Sequence, residues 1–234
     1  MHPSYQVIPP TISLRRAALA LVVVLAAGAT TLGEESNRSL SVRDVARKVD
    51  RNYNNLQTLQ ADFEESYRGA GMSRTESGVL WLKRPGKMRW EDRTPREKLF
   101  ISNGREAFFY VPGEQQARKD KLEKIDDLRS PLRYLLGKTK LEKEFDDLHL
   151  VAGNPGASLV LEGVPKVMRD RVQRVRLELS PSYRIDRILI EEIDGATTEF
   201  RFARQTENLA MADEKFRFKA PPGVRVLEAS EVAP

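Results

Sequence analysis

Gly78-Val79-Leu80-Trp81-Leu82-Lys83-Arg84-Pro85-Gly86-Lys87-Met88-Arg89-Trp90-Glu91 is the stretch on which the fold of this chain turns. Pro85-Gly86 suits a tight reversal, since Pro presets one corner and Gly accepts the positive φ of the next. Strands are predicted on either side, Gly78 to Lys83 and Lys87 to Asp92. Val79-Leu80-Trp81-Leu82 is apolar at successive positions, and successive strand residues point to opposite faces. An antiparallel sheet with one wet face should alternate, so here both faces want cover.

The same grammar extends in both directions. Upstream, Gln60 to Tyr67 reads as a strand and Gly69-Ala70-Gly71 as a turn. Downstream, Lys98 to Ser102 and Glu106 to Val111 read as strands around Asn103-Gly104, a strong hairpin signal. Further strands are predicted at Leu148 to Ala152, Ser158 to Gly163, Val172 to Ser180, Arg184 to Asp194 and Thr197 to Gln205, with a second hairpin signal at Asp194-Gly195. Ala107 to Val111, Leu159-Val160-Leu161 and Ile188-Leu189-Ile190 are again apolar on both faces. The order is a meander of antiparallel strands, not a βαβ pattern. Such strands are served either by a filled core or by a curved sheet around an apolar interior with helices over the opening. Periodicity is equally consistent with both.

Helical periodicity occurs at the start. Val42, Val45, Ala46, Val49, Tyr53 and Leu56 recur at helical spacing within Ser39 to Gln60, and Ser41 with Asp44 resembles an N-terminal cap. Ser130-Pro131 opens a second short helix with Leu132, Leu135 and Leu136 on its apolar face and Gly137 at its end. Lys140 to Phe145 has room for another helical turn or two.

The chain has 234 residues, no Cys, and a formal charge of +5 from 39 Lys+Arg against 34 Asp+Glu. Disulfides, thiolate metal sites and Cys nucleophiles are excluded. Arg15-Arg16, the apolar run Ala17 to Ala27 and the small residues Ala27-Gly28-Ala29 have the form of a secretory signal, with cleavage expected after Ala29. The apolar run is short for a membrane span. Removing Arg15 and Arg16 leaves 37 basic against 34 acidic residues, +3, scattered rather than focused. That pattern gives little support to nucleic-acid binding. Residues 1–29 are therefore read as signal and 30–234 as one domain, its structured part running roughly from Glu34 to Leu227.

A catalytic or metal centre is not expected. After the signal one His remains, His149, with no Gly-x-Ser-x-Gly elbow for a triad and no zinc-ligand partners. Glu64-Glu65, Asp126-Asp127, Asp146-Asp147 and Glu191-Glu192 are adjacent pairs, which on strands point apart. Gly69-Ala70-Gly71 lacks the third glycine of a dinucleotide loop. A binding protein without cofactor is the expectation.

The ordered series of short segments resembles the LolA family. Gly78 to Glu91 is similar to its Gly-x-Leu-x-(Leu/Val)-Lys-Arg-Pro…Trp stretch. Leu59-Gln60-Ala61-Asp62-Phe63, Thr94-Pro95, Ile101-Ser102-Asn103-Gly104, Tyr110-x-Pro112, Ser130-Pro131-Leu132-x-x-Leu135-Leu136 and Phe216-x-Phe218-x-x-Pro221-Pro222-Gly223-Val224 follow in family order. Two departures from it stand out: Glu64-Glu65 stands where Thr-Gln or Ser-Gln is usual, and Met88 where Phe is frequent.

The resemblance implies a mainly β protein, an unclosed antiparallel β-barrel covered by about three helices, enclosing an apolar cavity. It implies a monomeric periplasmic chaperone that binds the acyl chains of lipoproteins. An inner-membrane LolCDE-type ABC transporter would supply them and an outer-membrane LolB-type acceptor would receive them. Carriage of another lipid or glycolipid, or a lipoprotein-sensing module, are the alternatives. Strand parity assigns Leu82, Met88, Trp90, Leu99, Ile101, Phe108 and Tyr110 to the cavity wall. In the family, the Arg of Lys-Arg-Pro holds the lid helices through their backbone carbonyls. That implies a latch role for Arg84, with the helix after Ser130-Pro131 as its expected receiver and Leu132, Leu135 and Leu136 as lid residues.

Overall fold

A computed structural model describes residues 40–122, 140–153 and 159–228. The expected signal segment and the helix carrying Leu132, Leu135 and Leu136 lie outside the described residues.

Helix α1 runs Val42–Asn55, and its Val45, Ala46, Val49 and Tyr53 are buried. It is shorter than Ser39 to Gln60 at both ends. Ser41 precedes it in an extended conformation with no side-chain cap bond, so its carbonyl rather than its hydroxyl serves the first turn, accepting from Asp44 and Val45 N–H. At the far end the sheet captures the chain: Gln57 N–H donates to Asn208 Oδ1, and the Thr58 hydroxyl to the Leu209 carbonyl.

The strands then follow: β1 (Thr58–Gly69), β2 (Met72–Lys83), β3 (Lys87–Thr94), β4 (Lys98–Asn103), β5 (Glu106–Tyr110) and β6 (Gln116–Lys121). A one-turn helix, α2 (Leu141–Glu144), leads into β7 (Phe145–Val151), β8 (Leu159–Pro165), β9 (Val172–Leu179), β10 (Ile185–Glu192) and β11 (Thr197–Glu207). Strand β12 (Arg225–Glu228) closes the described chain. All lie in one 12-stranded sheet of order β12-β6-β5-β4-β3-β2-β1-β11-β10-β9-β8-β7. Pairing is antiparallel except β12 on β6, and β12 and β7 stand at opposite edges, so the barrel is unclosed.

The fold class is therefore mainly β, as expected. Two α-helices are present among the described residues rather than about three. Strand β2 begins at Met72, six residues before the expected Gly78, because Ala70 and Gly71 (φ 48° and 74°) form a tight loop that pairs Gly69 with Met72. Gly78 is fixed by crowding, since a Cβ there would meet the Glu91 carbonyl oxygen at 1.7 Å.

One face of the sheet carries α1. Leu59, Ala61, Phe63, Leu80, Leu82, Trp90, Phe200, Ile188, Leu177 and Leu161 from strands in both halves join Val45, Val49 and Tyr53 in a single buried cluster. Among the described residues the interior is thus packed by side chains, with α1 seated on the sheet. The other face is covered over β2 to β5 by the segment after β11. There Phe216 is buried against Val79 and Trp81, and Phe218 lies 5.2 Å from Phe108 and 5.8 Å from Tyr110 between ring centres.

Candidate functional site

The inner face, against α1, is built by register. Leu59 faces Leu82, and Ala61 faces Leu80. Leu80 then faces Trp90 and Leu82 faces Met88. Directly paired residues share a face, so Leu82, Met88 and Trp90 stand together there. Aromatic rings fill the middle: Phe63 lies 3.9 Å from Trp90, Phe200 meets Trp90 edge-on at 6.0 Å, and Phe202 stacks at 6.5 Å from Phe200.

Register divides the remaining wall residues from these three. Trp90 faces Phe100, so Leu99 and Ile101 are on the outer face. Ile101 faces Phe108 and Leu99 faces Tyr110, so those two are outer as well. The inner residues of β4 and β5 are Phe100, Ser102, Ala107 and Phe109. The parity assignment is corrected by one position on both strands. Leu99-Phe100-Ile101 and Phe108-Phe109-Tyr110 are apolar without a break, because the outer face is covered too.

At one end the inner face turns polar. Glu65 lies directly across from Glu76. Like charges opposite one another are destabilising, and cations answer them. Lys98 Nζ bonds Glu76 Oε1, and Arg74 sits 3.7 Å from Glu65 and 3.6 Å from Glu76. Trp90 Nε1 donates to Asp92 Oδ1 at 3.2 Å beside them. The Glu64-Glu65 departure thus splits: Glu64 is exposed on the outer face, and Glu65 enters this half-buried cluster.

At the opposite end stands the turn between β2 and β3. Arg84 N–H donates to the Gln57 carbonyl at 3.0 Å, fixing its backbone beside the α1–β1 connection. Its Nη2 donates to the carbonyl of Tyr53. That carbonyl belongs to the last turn of α1, where intrahelical donors run out. Burial also holds the Arg84 guanidinium below its usual range. The observed receiver is α1; the segment after Ser130-Pro131 lies outside the described residues. A crevice of about 10 Å³ lined by Leu56, Leu59, Leu82 and Arg84 lies between the α1–β1 connection and the end of β2, room for about one water.

Tyr53 is the residue that sequence reasoning missed. While its carbonyl accepts from Arg84, its hydroxyl accepts the Ile185 N–H at 2.8 Å, at the start of β10. Burial pushes the hydroxyl pKa well above the ordinary range. The signal was present as a Tyr on an otherwise aliphatic stripe, since a buried Tyr hydroxyl usually finds a partner.

His149 is on the outer side of β7, with Nδ1 2.5 Å from the Asp147 carbonyl and Nε2 3.6 Å from Glu162. Among the described residues no cluster of His, Cys, Asp or Glu is placed to hold a metal, and no helix is long and apolar enough to cross a membrane.

The sequence matches the family model "Outer membrane lipoprotein carrier protein LolA" over residues 54–219. A protein of Azotobacter vinelandii named outer-membrane lipoprotein carrier protein is 30% identical over 210 residues, 88% of this chain and 97% of its own. One of the same name from Pseudomonas aeruginosa is 32% identical over 180 residues, 75% of this chain and 83% of its own. A solved LolA superfamily protein of Nitrosomonas europaea, 12% identical, covers 77% of this chain and 99% of its own with a TM-score of 0.45. With the family model spanning well over half of the sequence, the chain belongs to the LolA family of outer membrane lipoprotein carrier proteins.

Proposed function

We propose that this protein is a periplasmic carrier that shields the acyl chains of lipoproteins between two membranes. Each acyl CH₂ exposed to water costs about 0.8 kcal/mol, so the anchors need an escort. The observation that carries the reading is the inner face. A continuous apolar and aromatic surface from Leu82, Met88 and Trp90 to Phe200 and Phe202 is covered, among the described residues, by α1, which polar bonds hold at Tyr53. Acyl chains would replace α1 on that surface, and the packed arrangement is then the unloaded, closed state. Arg84 acts as latch by holding Tyr53.

The partners in this reading are an ABC transporter of the inner membrane as donor and an outer-membrane acceptor, with the carrier a monomer. With no nucleotide in that compartment, hand-off runs down an affinity gradient, and the carrier grips its cargo only moderately. The chemistry asked of the protein is binding, not bond-making.

The test is direct. The protein, exported and purified from the periplasmic fraction, is mixed with a triacylated cysteinyl peptide, and the complex is weighed by native mass spectrometry. A one-to-one complex with the triacylated but not the unacylated peptide is expected. A co-purified glycolipid, with the acylated peptide excluded, would replace lipoprotein by that lipid as cargo. The same spectrum checks export, since the mature chain should begin near Thr30.

A further inference from the structure

Helix α1 crosses the mouth of the barrel between two turns on opposite halves of the sheet. The β2–β3 turn reaches it through Arg84, whereas the β9–β10 turn meets it at several places. Lys48 Nζ donates to the Tyr183 hydroxyl at 2.8 Å and lies 4.4 Å from that ring's centre. Asn52 Nδ2 donates to the Ser182 carbonyl at 2.8 Å and to the Tyr183 carbonyl at 3.3 Å. The Tyr53 hydroxyl accepts from Ile185 N–H at 2.8 Å. Lys48 and Asn52 are one helical turn apart, so they share a face.

The receiving turn is stiff. Tyr183 N–H donates to the Ser180 carbonyl at 2.9 Å, Ser180 N–H to the Arg184 carbonyl at 2.8 Å, and Arg184 N–H to Ser180 Oγ at 3.1 Å. Gln205 Nε2 ties the next residue down through the Ile185 carbonyl at 3.0 Å.

Leverage decides what these contacts do. The helix passes directly through Leu56-Gln57 into β1, and Arg84 N–H holds the Gln57 carbonyl, so any swing of α1 pivots there. At 1.5 Å of rise per residue, Tyr53 lies about 4.5 Å from Leu56 and Lys48 about 12 Å. A bond far from a pivot resists rotation more than a bond of equal strength near it. The Arg84 bond and the Asn52 contacts, about 4.5 and 6 Å along, sit near the pivot, and the Lys48 contact sits out on the arm.

Resting on the carrier reading above, we propose that the β9–β10 turn is a second latch on the lid helix, with Lys48, Asn52 and Tyr53 as positioning residues that set how far the mouth opens. Arg84 orients the base of the helix, and the turn at 180–185 holds its arm shut. Both must let go for cargo to enter, and α2, which donates Leu141 N–H to Asp50 at 3.1 Å and pairs Glu142 with Arg43 at 3.1 Å, either moves with α1 or parts from it as well.

The chain lacks Cys, so introduced pairs are unique labelling sites. Spin labels are placed at Arg47→Cys on α1 and Pro181→Cys on the turn, both exposed positions, and the distance distribution is read by pulsed electron resonance. In the empty protein the combined change Lys48→Met and Asn52→Ala should shift the distribution to longer distances, more than Arg84→Leu does. Lys48→Arg, which keeps charge and reach, should return it towards wild type. In transfer to the acceptor, the Lys48→Met/Asn52→Ala variant should retain cargo, by roughly fivefold for each bond lost. If the distribution does not lengthen, or if Arg84→Leu alone lengthens it as much, the second latch is refuted. A final arm adds the triacylated cysteinyl peptide to the labelled wild type. Failure of the peptide to bind there refutes the carrier reading, while lengthening in the empty variant still upholds the latch.

Discussion

Lys83 and Arg84, neighbours in the chain, grip opposite faces of the sheet. Lys83 reaches outward to Asp213 at 2.6 Å and to the Met211 carbonyl, while Arg84 reaches inward to the Tyr53 carbonyl of α1. One turn therefore holds the outer strap and the inner helix at once. Its geometry is set by neighbours on the next hairpin: Ser102 Oγ donates to the Gly86 carbonyl at 3.0 Å, and Gly104 (φ 96°) passes so close that a Cβ there would lie 2.9 Å from the Pro85 oxygen.

Arg84→Leu should leave the fold intact and the protein able to load, but cargo should stay bound when acceptor is offered. A hydrogen bond from a charged donor contributes about 1.5–3 kcal/mol, so the loss is about ten- to a hundredfold in the closing equilibrium. Arg84→Lys keeps the charge but loses the fork and should be milder. A two-step transfer assay with purified donor and acceptor reads both; release by Arg84→Leu at the wild-type rate would reduce Arg84 to a surface charge.

Met88 and Trp90 share the inner face, but they should answer differently to a charge. Met88 keeps 6% of its surface exposed and pairs with Leu82 near the mouth, while Trp90 is fully buried between Phe63 and Phe200. Met88→Glu should block loading and leave the circular dichroism spectrum unchanged. Trp90→Glu should unfold the protein, since a buried unpaired charge with no room to relax is among the most destabilising changes known. Unfolding of both would make Met88 a core residue and nothing more.

The face of each strand was readable only where the sequence alternates. Lys87, Arg89 and Glu91 interleave with Met88 and Trp90, so the inner side of β3 could be chosen. On β4 and β5 both faces are apolar, since Phe216 and Phe218 cover the outer one, and parity then had no anchor. Strand β6, Gln116–Lys121, escaped detection because only Ala117 is buried in an otherwise polar run, and β12 because it is a short strand whose partner lies over a hundred residues away. The stripe of α1 was legible from its 3- and 4-residue spacing, but Tyr53's two bonds were not. Their partners, Arg84 and Ile185, are brought to it only by the closure of the sheet around the helix.

The strap should respond to acid in a defined window. Lys83 and Lys87, 2.6 and 2.7 Å away, hold Asp213 at a pKa of about 2. A carboxyl whose folded pKa is depressed stabilises above its unfolded value, near 4, and loses that contribution as pH falls towards 2. The indole signal of Trp81, over which Lys215 sits at 4.0 Å, should stay constant from neutral pH to about 4 and shift below it. Asp213→Asn should show the low-pH spectrum already at pH 7. An Asp213→Asn spectrum identical to wild type at neutral pH would mean that Phe216 alone seats the strap.

Lys98 should matter more than a surface lysine. It is the half-buried answer to the buried Glu76, which faces Glu65 across the strand pair. Lys98→Met should lower stability at pH 7 by about 1–3 kcal/mol, seen as a reduced midpoint in urea. Adding Glu76→Gln should restore most of it, because the repulsion goes with the charge. Additive losses in the double variant would show that the three groups do not act together.

A barrel that stays unclosed has two bare rims, and bare rims invite strands from other chains. Here each rim is blunted. On one side β12 adds a four-residue parallel strand along β6, ending in Glu228, which Lys119 holds at 2.8 Å. On the other, β7 breaks its register between Asp146 and His149, with Asp147 at φ 51°, so its outer row of N–H and C=O groups is bent out of line. If the carrier proposed above opens along this slit, the slit is thereby kept from becoming a seam for aggregation.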